Sequence, residues 1–288
     1  NLTNVLARSA FIGIIAVGMT FVITSGGLDL SVGSMAAFIA GMMIIVMNSV
    51  VPGLGAGWLV VMCGVGAGLL LGTVAGAANG LLVTKGRIEA FIVTLGTMGI
   101  FRSLVTWLAD GGTLSLDFTV REVYRPVYYG GLFGVAWPII VFAVVAIIGE
   151  IVMRKTPFGR HCAAIGSNEQ VARYSAVNVD RVRLFTYALL GLLVGIATIM
   201  YVPRLGSASS STGLLWELEA IAAVIIGGTV LKGGFGRVWG TVVGVLILSF
   251  IDNLLNLTDL VSPYLNGAIQ GVIIILAVML QRERRPAD

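Results

Sequence analysis

The chain has 288 residues, of which 57% are hydrophobic and only 11% charged, and its mean hydropathy is +0.99. Soluble domains carry about 25% charged residues, so a water-facing surface over most of the molecule is excluded. The net charge of +4 comes from basic residues clustered between apolar runs, a pattern of membrane topology rather than of nucleic-acid binding.

Nine apolar spans follow in chain order, at about 6–24, 32–50, 58–83, 89–108, 136–153, 183–202, 216–231, 237–256 and 262–280. A helix needs about 20 apolar residues to cross a bilayer, and 216–231 is short for a full crossing. The runs are continuous rather than alternating, which favours helices over a barrel. The expected fold class is an all-α polytopic membrane protein.

Between the first two spans stands "SGGLDLSVGSMAA" (25–37). Asp29 and Ser31 precede an apolar run there, and N-capping of the second helix is the expected role of Asp29. The third span carries Gly64, Gly66, Gly68, Gly72, Gly76 and Gly80. Spacing of four from Gly68 to Gly80 makes a ridge without side chains, where a neighbouring helix approaches closely; lining a translocation path is the sharper alternative. Asn79 is placed to hydrogen-bond across that interface.

After the fourth span comes an outer loop, 109–134, with Asp110, Asp117, Arg121, Glu122 and Arg125. A single linking span, 135–153, leads to the longest polar stretch, "RKTPFGRHCAAIGSNEQVARYSAVNVDRVR" (154–183), which holds six of the eighteen Lys and Arg residues. Ser167 is the expected N-cap of a two-turn helix, with Asn168 or Gln170 in its first turn. Glu169 and Arg173 stand at i,i+4 in the favourable order. So short a helix is marginal alone in water, and the stretch is either a solvated connection or a docking helix for a cytoplasmic partner.

In the seventh span Glu217 and Glu219 sit two apart, so they do not share a helix face and at most one is expected to point into the bundle. Asp252 and Asn253 fall near the end of the eighth. Carboxylates are costly at membrane depth, which makes Asp29, Asn79, Glu217, Glu219 and Asn253 the candidates for a translocation path.

Thirteen Lys and Arg residues fall in one set of loops and five (Arg8, Arg102, Arg121, Arg125, Arg204) on the opposite side. The positive-inside rule then puts 154–182 and the C-terminus in the cytoplasm and Asn1 outside. Trp58, Trp107, Trp137 and Trp216 fall at outer span ends, as an interfacial belt requires. A chain that opens outside without Met implies one more helix upstream.

Residues 1–108 and 183–288 form two halves of one permease domain, and the odd separator between them reverses the second. "TGLLWELEAIAA" (212–223) resembles the 25–37 hinge: small residues, then an acid flanked by Leu, then an Ala-rich helix start. Inverted-topology repeats of this kind belong to transporters, with the substrate route at the repeat interface.

Chemistry of the chain's own is disfavoured. There is no GxxxxGK[ST] phosphate loop, and "GGFGRVWG" (233–240) has Trp239 where a dinucleotide fingerprint needs Gly. The lone His161 has no partner at metal-ligand spacing. Cys63 and Cys162 are not placed to form a disulfide. No cofactor, metal or nucleic acid is expected on this chain.

"GMTFVITSGGLDLSVGS" (18–34), "TPFGRHCAAIGSNEQVARYSAVNV" (156–179) and "ELEAIAAVIIGGTVLKGGFGRVWGT" (217–241) together resemble the signature stretches of ribose-type sugar ABC-importer permeases, grouped with branched-chain amino-acid permeases. The resemblance implies a ten-helix permease of the vitamin-B12-importer-like type in the bacterial inner membrane, here without its first helix. It further implies pairing with a second permease copy, ABC ATPase subunits that carry ATP and Mg, and a periplasmic sugar-binding protein, for which the outer loop offers a landing surface. The family's coupling pattern falls on Gly166, Asn168, Glu169, Ala172 and Ser175, and Gly159, Ser167, Arg173 and Val179 complete the ATPase-coupling set. Gln170 and Val171 depart from the small residues common there, as does Leu28 from Ile in the glycine turn. The expected function is ATP-driven import of a monosaccharide; an ion-gradient-driven secondary transporter is the alternative.

Overall fold

The computed structural model describes residues 2–258 and, beyond them, residues 265, 268, 269, 271, 272, 275 and 279. Seven helices in the described residues are long and apolar enough to cross a membrane. They are α1 (Leu2–Thr24), α2 (Val32–Leu54), α3 (Trp58–Thr84), α4 (Ala90–Leu108), α7 (Trp137–Lys155), α10 (Val179–Leu205) and α12 (Val238–Thr258). The shorter helices are α5 (Phe118–Tyr124), α6 (Pro126–Tyr129), α8 (Pro157–Ser167), α9 (Glu169–Tyr174) and α11 (Trp216–Ile226).

Nine spans were expected. Most of the last, 262–280, lies outside the described residues. The run 216–231 does not make a crossing helix: α11 has 11 residues and reaches only about 16 Å at about 1.5 Å per residue. Its end is set by Gly227, whose backbone lies against Gly240, and by Gly228 at φ +88°. The approach to α11 is a non-helical segment from Gly206 (φ +67°) to Leu215 (φ +67°).

Helix α1 is the axle of the bundle. Of its span 83% is buried, against 17% for α4, and it packs against α7, α8, α10, α11 and α12. Ile14, Ile15, Met19, Phe21 and Ile23 are wholly enclosed. The most extensive helix pair is α3 on α10, and its cause is the glycine ridge. A methyl group on Gly72 or Gly76 would overlap the α10 backbone at Gly191, and one on Gly191 would overlap α3. Gly64 and Gly68 instead receive Met47 and Met43 of α2, so the ridge serves close packing, as glycine faces do where lipid supplies no hydrophobic drive. Gly66 faces open space.

The outer loop is structured. Strand β1 (Thr113–Ser115) pairs antiparallel with β4 (Ser207–Ser209), tying the loop to the end of α10. Gly131–Leu132 (β2) and Val135–Ala136 (β3) form a second small hairpin. Asp117 caps α5 by accepting from Thr119 N at 2.9 Å. Trp58, Trp107 and Trp137 are exposed, but Trp216 departs from the expected belt: it packs between Phe11 and Tyr201.

The polar stretch holds two helices rather than one. Ser167 closes α8 instead of opening α9; the N-cap of α9 is Asn168, whose side chain accepts from Val171 N. Cys162 and Ile165 are buried under α8 and Ala172 under α9, while Val171 (58% exposed) and Tyr174 (89%) face outward.

Candidate functional site

The first hinge, residues 25–31 between α1 and α2, is built around a buried carboxylate. Asp29 Oδ1 accepts from Ser31 N at 2.8 Å and from Ser31 Oγ at 2.6 Å. Asn79, fifty residues on in α3, donates from Nδ2 to Asp29 Oδ2 at 3.2 Å and to Ser31 Oγ at 2.9 Å. Tyr187 of α10 donates its hydroxyl to the Leu28 carbonyl at 3.0 Å. Asp29, Ser31, Asn79 and Tyr187 are all fully buried, and a buried polar group is tolerated only when hydrogen-bonded in this way. The N-cap position of α2 is Ser31 rather than the expected Asp29, and its side chain makes no cap bond; Asp29 instead holds Ser31 from two residues upstream. Asn79 Oδ1 has no hydrogen-bond partner.

The second hinge reaches the first across the molecule. A methyl group on Gly33, in the first turn of α2, would overlap the Gly213 carbonyl oxygen and stand 2.5 Å from Glu217 Oε2. Gly213, at φ +66°, returns the approach onto the Gly33 backbone. The two stretches that look alike in sequence thus meet glycine on glycine. Glu217 is 9% exposed and its Oε2 has no hydrogen-bond partner. Arg102 of α4 donates from Nη1 to the carbonyls of Ser210 and Thr212, at 2.6 Å each, and its charge acts on Glu217.

In the sequence Arg102 stands out only as a marker of topology, although a charge inside an apolar span is costly enough to signal function. Of the two acids that stand two apart, Glu217 is the buried one. Glu219 is half-buried and lines a small cavity with Ile12 of α1 and Asp252 of α12. Asn253 is half-buried on α12 and is not brought to either hinge.

The coupling candidates fall into two groups. Gly166, at the end of α8, lies against the Thr24 carbonyl and the backbone of Gly233 and Gly234, and Gly234 N donates to the same Thr24 carbonyl at 2.9 Å. Gly159 lies against the Met153 backbone, and Ala172 and Val179 are buried. Ser167, Asn168 and Ser175 are exposed.

Glu169 and Arg173 form a strap. Glu169 Oε1 meets Arg173 at 2.9 Å, Arg173 also meets Asp180 at 3.0 Å, and Glu169 Oε2 meets Arg183 of α10 at 2.8 Å. Partial burial pushes the Glu169 carboxyl up, but the hydrogen bonds and charges of Arg173 and Arg183 outweigh it and hold it below the usual carboxylate range. A cavity of about 780 Å³ opens beside the strap, lined among others by Gly26, Leu28, Arg87, Glu89, Arg183 and Tyr187. Arg87, Arg173 and Arg183 thus share one end of the bundle, while Arg121 packs on Gly206 and Arg125 over Tyr129 at the β1–β4 end. This is the sorting of basic residues that the loops implied.

Both cysteines are free, and burial pushes the Cys162 thiol up to about 12. Among the described residues no group of three or more His, Cys, Asp or Glu side chains could hold a metal ion.

Comparison with known proteins agrees over the whole chain. Residues 1–278 match the model of the branched-chain amino acid transport system / permease component family. The chain is 36% identical over 280 residues to the ribose import permease protein RbsC of Haemophilus influenzae, covering 97% of this chain and 84% of that one. To RbsC of Bacillus subtilis it is 39% identical over 288 residues (99% and 85%). To the L-arabinose transport system permease protein AraH of Escherichia coli it is 37% identical over 275 residues (96% and 80%). A match of this extent, on a bundle of membrane-length helices, places the chain in the family of branched-chain amino acid transport system permease components, as a multi-pass protein of the bacterial inner membrane.

Proposed function

We propose that the chain is the membrane-spanning subunit of an ATP-driven importer for a monosaccharide, in which partner ATPases hydrolyse ATP and Mg-nucleotide never binds this chain. The observation that carries the reading is Gly166: the polar segment is docked, backbone on backbone, against the end of α1 and against the 233–234 loop of the second half. A push on α8 and α9 is then felt at both halves together. The outward-facing Val171 and Tyr174 of α9 offer the partner an apolar grip.

The names of the relatives, ribose and L-arabinose permeases, support a sugar as cargo. Residues 154–182 and the C-terminus then face the cytoplasm, and the β1–β4 end with loop 109–134 receives a periplasmic sugar-binding protein. In the vitamin-B12-importer-like type, two permease copies pair, each with ten helices, and the hinges at Gly33 and Gly213 bear on the path. Driving a two-state gate from 1:99 to 99:1 needs about 5.5 kcal/mol of differential binding, which nucleotide-dependent closure of the partners on the segment supplies.

The test is uptake of ribose and related monosaccharides into vesicles holding the chain with its native partners. Uptake that needs ATP and the binding protein is expected. Gly166→Trp, which forces a side chain into the Thr24–Gly234 junction, should abolish uptake while sugar binding by the delivery protein stays normal. Uptake driven by a proton or sodium gradient without an ATPase would instead establish the secondary transporter.

A further inference from the structure

We propose that Tyr187 is the positioning residue through which the polar segment acts on the buried Asp29 hinge. This rests on the importer reading for its biological meaning, but the physical link stands on its own geometry.

Arg183 and Tyr187 are one turn apart on α10, at i and i+4, so they lie on one face. Arg183 grips the strap at Glu169 (2.8 Å). Tyr187 grips the hinge at the Leu28 carbonyl (3.0 Å). The next residue, Asp29, is tied to Ser31 at the head of α2 and to Asn79 in α3. A continuous series of polar contacts thus runs from an exposed ion pair to a fully buried carboxylate, with one helical turn of α10 as its rigid link.

The packing makes that turn stiff. The Tyr187 backbone carbonyl lies against Gly76, and its Cβ would stand 3.1 Å from a methyl on Gly80. The helix cannot rotate there without separating from α3. Both grips also line the same 780 Å³ cavity, so the far side of the link has room to move while the near side is packed. Gly26 (φ +79°) begins the hinge, where a displaced Leu28 carbonyl can be followed by the chain. Displacing α9 therefore pulls Arg183, and the same turn carries the Tyr187 hydroxyl and Leu28 with it.

The test reads the link and the function separately. In the purified full-length chain, hydrogen exchange of the amides in 25–31 is measured for wild type, Glu169→Gln, Tyr187→Phe and the double variant. Glu169→Gln should speed exchange at the hinge about threefold or more in the wild-type background, and should change little once Tyr187→Phe is present, the non-additivity of two steps in series. Tyr187→Phe keeps the buried ring, so the melting profile should stay close to wild type. An equal effect of Glu169→Gln in both backgrounds, or none in either, overturns the proposal.

In vesicles with the native partners, Tyr187→Phe should raise the ATP consumed per sugar delivered at least threefold. An unchanged ratio also overturns the link. Absence of ATP-driven uptake in the wild type would sink the importer reading alone, since the exchange experiment does not depend on it.

Discussion

The two hinges start from similar sequences and end as opposites. In 25–31 the acid is fully enclosed and each Asp29 oxygen has at least one donor, from Ser31 or Asn79. At the second hinge, α11 is a half-length helix preceded by ten non-helical residues, and Glu217 keeps one oxygen without a partner beside the Gly33–Gly213 contact. The first arrangement holds one geometry, because any opening breaks several bonds at once. The second stores an unsatisfied group at a glycine-on-glycine contact, where little but backbone opposes separation. In the importer proposed above, the first hinge would serve as a pivot and the second as a gate, and half-helices of this kind are where transporters build their substrate sites.

The largest expected effect comes from forcing the two hinges apart. Gly33→Val places branches where the Gly213 carbonyl and Glu217 Oε2 stand, and backbone cannot yield as a flexible side chain would. Transport should be lost, with the chain still inserted and able to bind its partners. Full uptake by this variant would show that the contact is not part of the working cycle.

Next in size is the pivot. Asp29→Ala leaves the Ser31 amide and hydroxyl without their acceptor in a fully buried site, at about 3 kcal/mol, read by unfolding in mixed micelles. Asp29→Asn should cost only about 1 kcal/mol, because Asn79 can turn its unpartnered Oδ1 toward the new donor. Equal costs for the two would mean that charge, rather than hydrogen bonding, holds the pivot.

Much of this was legible in the sequence, for reasons that differ by element. The long helices follow from apolar runs that lipid demands, and the α3–α10 seam follows from glycines four apart, because one periodicity sets both. The fate of 216–231 was legible only in its length, short for a full crossing; that the helix stops at Ile226 rests on the approach of Gly240 and on Gly228 at φ +88°. Ser167 looked like a cap because it follows Gly166 and precedes Glu169, yet the buried side of α8, Cys162 and Ile165, carries the helix one residue past Gly166. That Asp29 serves the start of α2 was readable locally, though it holds the N-cap residue Ser31 rather than capping the helix itself; its bond to Asn79 was not readable, since nothing in either stretch names the other. Arg102 was readable and was passed over, a charge within a span whose partners, Ser210 and Thr212, lie a hundred residues away.

The gate acid should be far more forgiving than the pivot acid. Glu217→Gln removes a desolvated charge whose Oε2 gains no hydrogen bond, and with it the attraction to Arg102; the two losses oppose each other. The stability change should stay within about 1 kcal/mol, against about 3 for Asp29→Ala, in the same micelle assay. A cost as large as that of Asp29→Ala would erase the distinction between pivot and gate.

Glu169 supplies the smallest effect and a control for both, because it is an acid outside the core whose partners are known. Its folded-state carboxyl is held below the ordinary value of 4.5 by Arg173 and Arg183. The unfolded chain therefore takes up a proton first as pH falls, so the stability owed to the strap is complete above 4.5 and is lost as pH drops through the lower folded value. Glu169 and Arg173 are each more than a third exposed, and solvent screening limits the contribution to under about 1 kcal/mol. The difference in unfolding stability between wild type and Glu169→Gln should accordingly be level from about pH 7 to pH 5 and shrink toward zero at more acid pH, and high salt should reduce it throughout. A difference that grows as the solution is acidified would mean that Glu169 is protonated more readily in the fold than out of it, and the strap would not be an ion pair at all.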